Sequence, residues 1–145
     1  MKIAYIFFLI WGLTALSAGA QTNGAFIKFN EVIHDFGELT QGDKAEVEFV
    51  FTNTGDAPLL LSNVRSTCGC TVPTWPHDPI LPKGSASIKV KYDSNRIGGI
   101  NKQITVESNA TNGVIYLKIL GNISKKPEEI MPFQNFDGNG TPIAQ

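Results

Sequence analysis

A chain of 145 residues that is 42% hydrophobic and carries a formal charge of −1 has room for one domain with a sizeable core. Setting aside Lys2, which falls in a leader, 12 − 1 leaves 11 basic against 13 acidic residues, a formal charge of −2. That balance excludes a nucleic-acid or membrane-surface binder, both of which need a basic excess or stripe.

The chain begins with Lys2, an apolar run from Ile3 to Leu16 and the small residues Ser17-Ala18-Gly19-Ala20. This is the pattern of a signal peptide over residues 1–20, cut after Ala20. The apolar run is about 14 residues, and a membrane anchor needs about 20. The expected product is periplasmic or secreted, with no stable membrane span after cleavage.

Residues 25–29 read as a short strand, and 32–39 continue it after a break at Asn30-Glu31. Between 45 and 53, Ala45, Val47, Phe49 and Phe51 share one face, with Glu46 and Glu48 on the other. Strict alternation of this kind marks a half-buried strand, because a helix would scatter the two glutamates around its apolar stripe. Asn53-Thr54-Gly55-Asp56-Ala57-Pro58 is turn chemistry, and 59–66 forms the next strand. Pro73, Pro76, Pro79 and Pro82 then forbid regular structure apart from short edge segments. Residues 85–92 alternate again, with Ala86, Ile88, Val90 and Tyr92 inward. Strands at 100–108 and 114–123 flank a hairpin loop ending in Asn112-Gly113.

About seven strands with turn signals between them, and no helix, give the size and rhythm of an all-β, Ig-like antiparallel sandwich over residues 25–123. A small barrel is the second choice. The expected inner faces carry Phe49, Phe51, Leu59, Leu61, Ile88, Val90, Ile104, Val106, Leu117 and Ile119. The tail, residues 124–145, reads as a flexible extension from its proline, glycine and amide content.

An ordered set of motifs accompanies this pattern: His34-Asp35-Phe36-Gly37, Phe51-Thr52-Asn53-Thr54-Gly55 with Pro58-Leu59, Cys68-Gly69-Cys70-Thr71, Pro79-Ile80 with Pro82 and Gly84, and Ser108-Asn109. In these residues the chain resembles the bacterial domain-of-unknown-function family 1573, from about Phe29 to Ile123. Lys83 stands where that family usually has the proline of a proline-glycine turn. The resemblance implies an Ig-like domain similar to those of ciliary and sperm proteins, which are binding modules, and it implies no reaction.

Both cysteines lie in one loop, and three readings of it stand side by side. Cys68 and Cys70 form a disulfide around one residue, inert or redox-active, with Gly69 bending the backbone to bring their Cα atoms closer than the about 6.6 Å of an extended strand. Alternatively the pair binds a soft metal such as copper(I) or zinc, with His34 or His77 as a further ligand. In the third reading the cysteines are small apolar residues packed beneath Trp75, with Gly69 there for its backbone. His34, at a strand end, reads as a loop cap through hydrogen bonds. No nucleophile elbow or phosphate loop points to an enzyme, and no cofactor is expected.

The combined expectation is an exported Ig-like domain of the cell envelope that binds an unidentified protein partner, with Trp75, His77 and His34 as candidate contact residues. The alternative is a thiol-redox or soft-metal-handling protein using Cys68 and Cys70.

Overall fold

The alternation seen in the sequence is realised as two four-stranded sheets packed face to face. The computed structural model describes residues 24–127, so the expected leader and most of the expected tail lie outside the described residues. The strands are β1 (Ile27–Phe29), β2 (Ile33–Thr40), β3 (Glu46–Asn53), β4 (Leu61–Ser66), β5 (Thr71–Thr74), β6 (Ser85–Tyr92), β7 (Gly98–Ser108) and β8 (Ile115–Ser124). One sheet has the order β1-β3-β6-β5 and the other β2-β8-β7-β4. All ten residues expected on the inner faces are buried, and Phe49, Phe51, Leu59, Ile88, Ile104, Leu117 and Ile119 are fully enclosed.

Two features refine the seven-strand antiparallel expectation. The added strand is β5, which contains Pro73 and sits on a sheet edge, where proline is tolerated. The second is direction: β2 pairs parallel with β8, while the other strand pairs are antiparallel. The chain leaves β1 at Phe29 and enters β2 at Ile33, so Asn30, Glu31 and Val32 carry it from one sheet to the other. The same switch happens between β4 and β5 through Thr67–Cys70. The sandwich thus has two flanks, β1/β2 on one side and β4/β5 on the other.

Asn53, fully buried at the end of β3, ties several of these pieces together. Its Oδ1 accepts the N–H groups of Gly55 at 3.1 Å and Phe26 at 3.3 Å. Its Nδ2 donates to the carbonyls of Ala57 at 2.8 Å and Ile80 at 2.9 Å. All four hydrogen-bonding positions of the amide are filled, which is what allows it to sit in an apolar core. Two residues on, a Cβ at Gly55 would collide with the backbone of Gly24 and Phe26.

Most of the other motif residues also hold turns and edges. Asp35 Oδ1 accepts the Gly37 N–H at 2.8 Å inside the β2 bulge, and Gly37 has φ +66°. Asn109 accepts the Leu60 N–H and donates to the Pro58 carbonyl. Lys83 adopts φ 67°, a region a proline cannot reach. A Cβ at Gly84 would stand 2.9 Å from the Leu81 carbonyl oxygen.

Candidate functional site

The cysteine loop is the corner at which the chain changes sheets on the β4/β5 flank. Cys68 and Cys70 are joined as a disulfide, with Cα atoms 5.3 Å apart. A turn closed by the Thr71 N–H on the Cys68 carbonyl, at 3.3 Å, brings them closer than an extended strand would. Ser66 Oγ accepts the Cys68 N–H at 3.4 Å on the way in. The two sulfurs sit differently: Cys70 is 7% exposed, while Cys68 is half-buried against the core. Thr71, only 3% exposed, places its hydroxyl 3.7 Å from Cys68 Sγ and 3.9 Å from Cys70 Sγ. Disulfide sulfurs carry no proton, so the hydroxyl is the donor.

Gly69 departs from expectation. Its φ is not positive, it is exposed, and a Cβ built on it meets nothing within 4 Å. The backbone therefore does not require glycine there.

Trp75 lies just beyond β5 on the same flank, partly buried against the core, with its indole Nε1 buried and without a partner among the described residues. His77 is exposed and its ring centroid is 5.2 Å from that of Trp75. His34 belongs to β2 on the opposite flank, with Nδ1 3.4 Å from Glu31 Oε1 and its ring edge-on to Phe36 at 4.8 Å. The fold thus brings Cys68, Cys70, Trp75 and His77 to one side and leaves His34 on the other. Among the described residues no group of three or more His, Cys, Asp or Glu is placed to hold a metal.

The family model DUF1573, described as a protein of unknown function, matches residues 27–123 of this sequence. The protein belongs to the DUF1573 family. No curated protein matches it. Among solved structures, a protein of unknown function from Porphyromonas gingivalis W83 is similar at 18% identity and a TM-score of 0.62, over 74% of this chain and 51% of that one. This chain therefore spans about half the length of that protein. The ASH / PapD-like domain 7 of human CEP192 has a TM-score of 0.62 at 9% identity, over 88% of this chain and 99% of that one. The YadV chaperone has a TM-score of 0.51 at 16% identity, over 68% and 52%. At these identities the likeness is one of fold: the DUF1573 domain is Ig-like and PapD-like.

A sandwich has four edge strands, and their free sides differ in this domain. On β1, Asn112 Oδ1 accepts the Ile27 N–H at 3.2 Å and its Nδ2 donates to the Ile27 carbonyl at 2.8 Å, while the Thr111 N–H occupies the Ala25 carbonyl. On β5, the Asp93 N–H bonds the Cys70 carbonyl, which sets the ladder so that Thr71 and Pro73 turn their amide nitrogens outward. Pro73 has no N–H, and that of Thr71 is used in the turn, so this edge offers no outward donor. On β2, a bulge between Asp35 and Glu38 breaks the edge, and Asp43 occupies both the N–H and the carbonyl of Thr40.

On β4 the edge is unprotected. The Thr67 N–H bonds the Gln103 carbonyl, so Thr67, Arg65 and Asn63 face β7 and Val64 and Ser66 turn their main-chain groups outward. No described residue occupies those four groups. Sequence reasoning located the loop but missed this edge and the Thr71 hydroxyl; Pro73 was the available signal that β5 is a closed edge.

No helix among the described residues is long and apolar enough to cross a membrane. A shallow depression of about 550 Å³ on the outer face of the β1-β3-β6-β5 sheet is lined by charges that already pair with each other, Lys44 and Lys91 with Glu46 and Lys89 with Glu48. Three lysines against two glutamates leave it one positive charge in excess.

Proposed function

We propose that this is an exported domain of the cell envelope that works by binding, and that it receives an extended segment of a partner protein along the free edge of β4. The observation that carries the reading is the contrast among edges: β1 is covered at Ile27 by Asn112, β5 has no outward donor and β2 is interrupted, whereas Val64 and Ser66 offer two donors and two acceptors in an unbroken run. Added strands gain affinity from such main-chain bonds and specificity from neighbouring side chains. Trp75 and His77 on the same flank supply an aromatic contact of the type enriched at the centres of interfaces. The chaperone name of a fold neighbour agrees with a binding role. The domain carries out no reaction in this reading.

The test is to pan a displayed library of unstructured peptides against the domain and follow selected peptides by amide chemical shifts. Binders are expected to shift Val64, Ser66 and the Trp75 indole, and to lose at least about tenfold in affinity with Ser66→Pro, which removes one outward donor and no ladder bond. Binders that shift other edges, or that hold Ser66→Pro equally well, refute the reading. Export is tested separately: the mature protein in the envelope fraction should begin at Gln21.

A further inference from the structure

Most motif residues outside the cysteine loop hold turns, edges, the core or the Asn53 hub, whereas the bond between the two sulfurs adds little to the fold. A disulfide closing a three-residue loop removes little chain entropy from the unfolded state, so as a staple it contributes little, while Cys70 serves the core as a buried side chain with Cys68 packed against it. Its surroundings are those of a reactive group. Cys70 is buried, Cys68 is half-buried at the surface of the core, and Gly69 between them is exposed. A buried hydroxyl has both sulfurs as its side-chain acceptors, apart from which the described residues give it no partner.

We propose that the Cys68–Cys70 disulfide is a thiol–disulfide exchange site that oxidises a dithiol, with Cys68 Sγ the attacked sulfur and Cys70 Sγ the leaving one. A thiolate of the dithiol attacks Cys68 Sγ, the bridge breaks, and Cys70 departs with the electron pair as a thiolate. The second thiolate of the dithiol then attacks its own partner sulfur in the mixed disulfide and releases Cys68. Two electrons and two protons pass from the dithiol, which becomes a disulfide, to the cysteine pair, which becomes two thiols. The Thr71 hydroxyl assists because a hydrogen bond to a thiolate is stronger than one to a disulfide sulfur, so it favours the opened form. This inference depends on the sulfurs and their surroundings and stands apart from strand capture at β4.

The experiment equilibrates the purified chain with graded ratios of reduced and oxidised dithiothreitol, quenches with acid, alkylates free thiols and reads intact mass, with circular dichroism reporting the fold. The bridge is expected to open reversibly while the domain stays folded, with oxidised dithiothreitol formed in equal amount. Cys70→Ser, which leaves Cys68, should form a mixed disulfide with oxidised glutathione at least about tenfold faster than Cys68→Ser, which leaves the buried thiol. Thr71→Val should shift the equilibrium at least about threefold toward the bridge. A bridge that opens only on unfolding, or equal rates for the two single-cysteine variants, overturns the proposal. Should those variants fail to fold, the glutathione adduct of the unaltered chain decides the point: found on Cys68 it supports the assignment, and found on Cys70 it overturns it.

Discussion

Replacing Asn53 by alanine should be among the most damaging single changes in the domain. The side chain is fully buried and makes four hydrogen bonds, of which those to the Gly55 N–H and the Ile80 carbonyl are enclosed and those to Phe26 and Ala57 are partly so. Leaving a buried group without its partner costs about 1–3 kcal/mol, and a bond that water can replace costs about 0.5–1.5 kcal/mol. Two of each give roughly 3–6 kcal/mol after allowing for relaxation. A domain of this size has only about 5–15 kcal/mol in total. Urea unfolding followed by Trp75 fluorescence is the assay, with Asn109→Ala as the control. The Asn109 bonds to Leu60 and Pro58 are exposed, so the control should lose no more than about 1 kcal/mol. The Asn53 midpoint should fall by about 2 M or more with an unchanged slope. A loss below about 1 kcal/mol, or one equal to the control, refutes the reasoning about buried polar groups.

Other substitutions probe other parts of the structure. Gly55→Ala should destabilise the domain by more than about 2 kcal/mol in the same assay, because its Cβ meets the fixed backbone of Gly24 and Phe26. Trp75→Phe should be neutral or slightly stabilising in thermal unfolding, since it keeps an aromatic ring against the core and removes a buried N–H that has no partner among the described residues. The Glu46 carboxyl should titrate below the ordinary carboxylate range by NMR, chiefly through its side-chain hydrogen bond from Lys44, with the charges of Lys44 and Lys91 adding to it. A depressed value means that its contribution to stability is present above the ordinary carboxylate range and is lost as pH falls through the folded-state value. Lys44→Ala should return the titration toward that range.

The sandwich was legible because burial every second residue is a strong signal, clearest where Val47, Phe49 and Phe51 alternate with Glu46, Glu48 and Val50. Ile88 and Val90 on β6 are another such case. The parallel β2–β8 pair was not legible, since alternation reports which face is buried and nothing about the direction of a neighbour. β5 was left out of the strand count because Pro73 allows only a short edge segment there, and pattern alone does not show where an edge lies. Asn53 looked like an ordinary turn residue, as its burial depends on Ile80, 27 positions away. For the site, proximity in sequence was a good guide to Cys68, Cys70, Trp75 and His77. It could not reveal that His34 lies across the sandwich, or that the Thr71 hydroxyl points at the sulfurs.

Native-state amide exchange by NMR tests most directly the idea that β4 is the edge held open for a partner. The account predicts rapid exchange at Val64 and Ser66 in the free domain, slow exchange at Asn63 and Arg65, which face β7, and slow exchange at Ile27, which is held by Asn112. A bound peptide should then slow Val64 and Ser66 together. Val64 and Ser66 already slow in the free domain would contradict it.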